Sequence, residues 1–168
     1  NAILRNALPI KQVELQEIQH KLEETSDLVR GGRWPALTKT VTKCQSLLKK
    51  YQNKIIQELP SNKQTIAKKT FLELKENFEN LQNIAKLKDK YSFIETRREA
   101  LEKIGGLEEY FLPTQFPYLI PNEFDDLPRL LGRAKVNIKT TKGDMKAIID
   151  GFNAPLTAGA FIDLSSKN

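Results

Sequence analysis

Few side chains in this sequence have the chemistry to attack a bond, and their spacing does not assemble them. His20 is the only histidine and Cys44 the only cysteine. His20 stands among polar neighbours and reads as a surface residue, whereas Cys44 falls on an apolar stripe, where a small buried hydrophobe is the default. One cysteine excludes an internal disulfide, and one cysteine with one histidine does not supply a zinc site or a Cys-His couple. Asp125 and Asp126 are paired carboxylates, but adjacent positions on a turn are not a geometry for acid-base work. The sequence therefore assigns no catalytic residue, no cofactor-binding residue, no metal ligand and no cofactor.

Charge is the remaining chemistry. The net charge is +6, and it is unevenly placed. Residues 1–104 carry 20 basic and 13 acidic residues; residues 105–168 carry 7 and 8. Between Arg30 and Lys69 there are ten basic residues against the single acid Glu58. From Glu108 to Asp126 the sign reverses, with Glu108, Glu109, Glu123, Asp125 and Asp126 and no Lys or Arg. The partner-binding candidates follow: Arg30, Arg33, Lys39, Lys43, Lys49, Lys50 and Lys54 on the basic side, and Glu108, Glu109, Asp125 and Asp126 on the acidic side. Such a run is ordinarily a solvated helix face. The missing i,i+4 glutamates raise a second reading, a docking face for an acidic protein or an anionic lipid surface. Nucleic acid is disfavoured, because lysine dominates without interleaved aromatics or an arginine-rich motif.

The elements that must carry these charges are legible from periodicity. At 168 residues the chain is one domain, or one domain and part of another. No apolar run approaches the ~20 residues of a membrane-spanning helix, so only peripheral membrane association stays open. Leu15, Ile18, Leu22, Thr25 and Val29 repeat at 3-4 spacing, and Gly31-Gly32 is expected to end that helix. A second helix opens near Trp34-Pro35 and buries Leu37, Val41, Cys44, Leu48, Tyr51 and Ile55, with Lys39, Lys43, Lys50 and Lys54 largely outside the stripe. Pro60-Ser61-Asn62 breaks it. A third stripe is Ala67, Phe71, Leu74, Phe78, Leu81 and Ala85; a fourth helix, roughly Asp89 to Ile104, carries Phe93, Ile94, Ala100, Leu101 and Ile104, with Gly105-Gly106 expected to close it. Short connections between long amphipathic helices predict a mainly α protein with an up-down four-helix bundle over residues 1–106.

Residues 107–131 form a Pro/aromatic acidic connector, with Pro113, Pro117, Pro121 and Pro128 among Phe111, Phe116, Tyr118, Leu119, Ile120 and Phe124. Prolines forbid a regular helix there, and so many apolar residues imply packing against other structure. Ala134, Val136, Ile138 and Thr140 alternate with polar residues, Lys142-Gly143-Asp144 turns, and Met145–Ile149 returns as a second strand. Asn153-Ala154-Pro155 opens a short helix with Phe161, Ile162 and Leu164 expected inward. A lone hairpin is marginal in water, so residues 132–168 read as the start of a larger β-domain.

That start resembles a cyclophilin-type domain. The run Gly143-Asp144-Met145-Lys146-Ala147-Ile148-Ile149-Asp150, followed by Asn153-Ala154-Pro155-Leu156-Thr157 and Phe161-Ile162-Asp163, is similar to the second strand, Ala-Pro-x-Thr turn and helix of that family. The opening Asn1–Ile10, the run Ile104–Glu109, and Phe116-Pro117-Tyr118 with Pro121, Pro128 and Leu131-Gly132-Arg133-Ala134 resemble the thylakoid-lumen multidomain cyclophilins. In those proteins a bundle comparable to the extrinsic PsbQ subunit of photosystem II precedes a connector and the cyclophilin β-barrel. The resemblance implies a thylakoid-lumen location, cyanobacterial or chloroplast, and photosystem II subunits on the lumenal side as partners, in assembly or stabilisation. The protein's own barrel is a further implied partner, and folding catalysis by the complete peptidyl-prolyl isomerase is the alternative. The family's catalytic arginine belongs to a later strand than any here, so residues 1–168 are expected to show no isomerase turnover.

Overall fold

The computed structural model describes Leu4 and residues 6–167. Asn1, Ala2, Ile3 and Arg5 of the opening run that shares the resemblance lie outside the described residues, as does Asn168. The chain divides into two compact units. Ile10–Leu112 form one; the other combines the N-terminal segment to Pro9 with Pro113 onward.

The first unit is a bundle of four rods. The first rod is made of α1 (Val13–Glu23) and α2 (Thr25–Arg30), followed by α3 (Trp34–Glu58), α4 (Ser61–Leu87) and α5 (Lys90–Glu108). Every residue of the predicted stripes in these rods is buried except Tyr51, which is half-buried, and Ile94, which is exposed. Side-chain contacts fix the up-down order. Lys54 near the end of α3 pairs with Glu14 at the start of α1. Gln82 near the end of α4 donates to Thr42 Oγ1 (2.9 Å) and Gln45 Oε1 (2.7 Å) near the start of α3. Lys103 of α5 donates to Asn77 Oδ1 of α4 at 2.7 Å.

Two expectations are corrected here. The first helix is not continuous: its ladder is interrupted at Glu24, between α1 and α2. The Thr25 hydroxyl donates to Leu22 O at 2.5 Å, and Arg97 reaches in from α5. Its Nε donates to Leu22 O (3.2 Å) and Thr25 Oγ1 (2.8 Å), and its Nη2 donates to Glu23 O (3.0 Å). Side-chain groups inserted into the i→i−4 ladder are a recognised cause of such breaks. Second, Gly105-Gly106 do not close the last rod, which runs to Glu108 and then into a 3-10 turn, Glu109–Phe111. Leu107 is fully buried, and Tyr110 and Phe111 pack on the core. Their burial offsets the ~1 kcal/mol that each glycine costs a helix.

In the second unit, β1 (Arg133–Thr140) and β2 (Gly143–Asp150) pair antiparallel from Arg133↔Asp150 to Thr140↔Gly143, followed by α6 (Pro155–Ser166). Asp150 ties the open end together. Its carboxylate accepts from Arg133 Nε (3.1 Å), the Phe152 N–H (3.3 Å) and Asn153 Nδ2 (2.6 Å). Arg133 also donates to Leu4 O, and Asn153 to Ala7 O at 3.2 Å, which seats the N-terminal segment on the hairpin. Phe116 of the connector stacks on Phe152, with ring centroids 6.2 Å apart. The inward face of α6 differs from expectation: Ala158 and Gly159 are buried, Ile162 is half-buried, and Phe161 and Leu164 are exposed. The cause is close backbone approach, since a Cβ on Gly159 would overlap the Pro128 carbonyl oxygen and the Arg129 backbone.

Candidate docking surface

The basic candidates on α3 are placed by the helix itself. Pro35 in the first turn forfeits no hydrogen bond, and Thr38, Thr42 and Ser46 return their hydroxyls to carbonyls four residues back. With Leu37, Val41, Cys44, Leu48 and Ile55 facing the core, the helical period turns Lys39, Lys43 and Lys50 outward on one stripe. Lys39 and Lys43 are exposed and have no carboxylate partner among the described residues. Lys50 lies over the Tyr51 ring, 4.6 Å from its centroid, and donates to the Tyr51 hydroxyl at 3.1 Å; that hydroxyl donates in turn to Glu17 at 2.9 Å. The hydrogen bond to the tyrosine oxygen raises the lysine's pKa.

Lys54 departs from the expectation of a run without counter-charges. It pairs with Glu14 of α1 and lies 3.9 Å from Glu58, so its charge is committed to holding α3 against α1. The hydrogen bond between them lowers the Glu14 pKa and raises that of Lys54. Glu58 stands at i+4 from Lys54, so the expectation of missing i,i+4 glutamates fails at this lysine, and Glu14, which answers it more closely, is forty residues away in sequence.

Lys49 sits on the opposite flank of α3. It lines a groove of about 360 Å³ with Gln45, Leu48, Gln52, Lys75 and Glu79. Arg30 and Arg33 stand apart again, at the bundle end that holds the α2–α3 turn. Arg30 is 3.6 Å from Asp27, and Arg33 donates to the Asp27 carbonyl at 3.4 Å.

The acidic candidates divide between the two units. Glu108 is only 1% exposed, within α5, and so is removed from any docking surface, whereas Glu109 is exposed. Asp125 and Asp126 belong to the other unit; Asp125 pairs with Arg129 at 2.9 Å, just beyond the acidic run, and Asp126 is exposed. His20 is exposed on α1. Cys44 is buried, and desolvation pushes its thiol pKa up to about 12, which leaves no thiolate for nucleophilic work. Among the described residues no three His, Cys, Asp or Glu side chains gather as metal ligands, and no helix is long and apolar enough to cross a membrane. Sequence reasoning missed Arg97 and Asp150, whose partners are distant in sequence or reached only after the turn forms.

A family described as peptidyl-prolyl cis-trans isomerase CYP38-like, PsbQ-like domain, matches residues 1–112. The chain belongs to this family. The match ends at Leu112, the last residue of the compact bundle unit. Among curated relatives, a Synechocystis protein named as a thylakoid lumen peptidyl-prolyl cis-trans isomerase is 40% identical over 167 residues, 99% of this chain and 44% of its own length. The chloroplastic peptidyl-prolyl cis-trans isomerase CYP38 of Arabidopsis thaliana is 28% identical over 178 residues, 99% of this chain and 40% of its own. The chain thus spans less than half the length of these relatives. They place it in the thylakoid lumen.

Proposed function

We propose that the PsbQ-like bundle is a docking module that engages photosystem II subunits on the lumenal side, in assembly or stabilisation of the complex. The observation that carries the reading is the outward stripe of α3, where Lys39 and Lys43 project without a carboxylate partner among the described residues and Lys50 lies over the Tyr51 ring. Unanswered charge on a rigid helix attracts a complementary acidic surface and orients the encounter. The PsbQ-like description of the family supports a photosystem partner. A second reading rests on the relatives' names: the whole protein is a peptidyl-prolyl isomerase that catalyses folding of lumenal proteins, with the bundle contacting its own barrel.

The test is a pull-down of the chain with photosystem II membranes, comparing wild type with the Lys39→Glu/Lys43→Glu/Lys50→Glu variant. Reversing three outward charges is expected to weaken binding at least about tenfold and to flatten its salt dependence. Lys54 is left intact because it holds α1. The bundle should stay folded, since surface substitutions cost about 0.5 kcal/mol or less each. Unchanged binding by a folded variant would return the stripe to an ordinary solvated face.

A further inference from the structure

The end of the bundle away from the Lys54–Glu14 pair has a chemistry that the α3 stripe lacks. The up-down order brings the α2–α3 turn (residues 31–33) and the α4–α5 turn (Lys88-Asp89) to this same end. Arg30 precedes the first turn and Arg33 is its last residue, and Lys86, Lys88 and Lys90 crowd the second. The three lysines are exposed and have no acidic partner among the described residues. The acid between them is already engaged: Asp89 accepts from the Ser92 N–H at 3.1 Å and the Ser92 hydroxyl at 2.6 Å, as the N-cap of α5.

Set among these cations are two large apolar side chains that the core does not use. Leu87 is 79% exposed and Tyr91 86% exposed. Isolated exposed hydrophobics are common, but here two of the bundle's most exposed ones bracket a single two-residue turn. Leucine and tyrosine ringed by lysine is the combination that settles into the headgroup region of a bilayer, with ring and aliphatic carbon below and ammonium groups at the phosphates.

The backbone supplies an independent observation. Lys88 has φ +57°, the one non-glycine residue with positive φ among those described. It closes α4, its N–H donating to Ala85 O (3.2 Å) and the next N–H to Ile84 O (3.3 Å). Glycine is the ordinary residue for that left-handed closing position, because a side chain there is strained. The chain does use glycine with positive φ in the neighbouring turn, at Gly32. A lysine kept at a strained position puts charge where stability alone favours none, and strain of this kind points toward function.

We propose that this end of the bundle is a membrane-surface docking tip, in which Leu87 and Tyr91 enter the headgroup region of an anionic bilayer and Lys86, Lys88 and Lys90 bind its phosphates. The proposal is independent of the α3 reading: it uses other residues and a lipid partner. Binding is peripheral and reversible, because two side chains and a few charges fall far short of an inserted helix.

The test is flotation of the 168-residue chain with vesicles of phosphatidylcholine and phosphatidylglycerol at about two to one, against pure phosphatidylcholine. Wild type is expected to float with the anionic vesicles, less so as salt rises, and not with the neutral ones. Lys88→Gly is the decisive variant. It should raise the melting temperature by relieving the left-handed lysine, yet lower vesicle binding about fivefold through the lost charge. Leu87→Ser/Tyr91→Ser should lose binding severalfold at unchanged net charge. Lys43→Glu/Lys50→Glu, on the α3 stripe, should float more nearly like wild type than Lys86→Glu/Lys90→Glu. The proposal is overturned if wild type ignores anionic vesicles, or if Lys86→Glu/Lys90→Glu floats undiminished. It is equally overturned if the Leu87/Tyr91 variant binds like wild type, because charge alone would then describe a tip suited to an acidic protein.

Discussion

Arg97 offers a stringent check on how the bundle is held. Its guanidinium bridges α5 to the break between α1 and α2 through contacts to Leu22 O, Glu23 O and Thr25 Oγ1. Hydrogen bonds from a charged donor contribute about 1.5–3 kcal/mol each, but the three are not lost equally in Arg97→Ala. Leu22 O keeps the Thr25 hydroxyl as a donor, whereas Glu23 O loses its guanidinium donor. One full loss and two partial ones give about 2–4 kcal/mol. For a unit of about 100 residues, that lowers the melting temperature by roughly 10–25 °C, read by far-UV circular dichroism. Arg97→Lys should keep most of the deficit, because a compact ammonium cannot span acceptors arranged for a planar fork. Thr25→Val removes the hydroxyl that shares the site, so the double variant should cost less than the sum of the singles. An Arg97→Ala bundle melting within about 2 °C of wild type would refute the bridge as a stabilising element.

Two further outcomes test other parts of the molecule. Gly159→Ala places a methyl group into the Pro128–Arg129 backbone and should release α6, seen as rapid proteolysis of the segment after Asp150, whereas Gly106→Ala, with nothing within 4 Å of the added carbon, should stabilise the bundle by up to about 1 kcal/mol. Cys44, with its pKa pushed to about 12 by burial, should resist a thiol reagent in mildly alkaline buffer until the bundle is unfolded; labelling of the native protein within minutes would contradict its placement.

The sequence was most informative where structure is set locally. Core positions such as Leu15, Ile18, Phe71, Leu74 and Phe78 follow from the 3-4 period, because burial on a helix is decided by which face a residue takes. The break at Glu24 was invisible for the same reason: Thr25 keeps the period, and only Arg97, more than seventy residues on, reveals why the ladder opens there. Gly105-Gly106 carried a strong local stop signal that Leu107 and the aromatic pair after it override. The lysine stripe could be drawn from spacing, but the commitment of Lys54 to Glu14 and the burial of Glu108 are tertiary facts. In the second unit, Phe161 and Leu164 carried the apolar signal, while the small residues Ala158 and Gly159 let the connector approach.

The division of the chain into units also bears on the order in which it can fold. The N-terminal segment ending at Pro9 is held by Arg133 and Asn153, which follow it by well over a hundred residues, so it must wait until they have been made. The bundle between needs no such wait, and once formed it shortens the wait of its neighbours. Lys11 and Phe111 line the same small cavity with Gln12 and Glu58, so a folded bundle brings its own two ends close together. A loop of about 100 residues then behaves as one of about ten, reducing the entropy of closing it by on the order of 2 kcal/mol. The four helices act as a pre-tied knot between the N-terminal segment and the hairpin that holds it, and a substitution that loosens them also lowers the stability of that pairing.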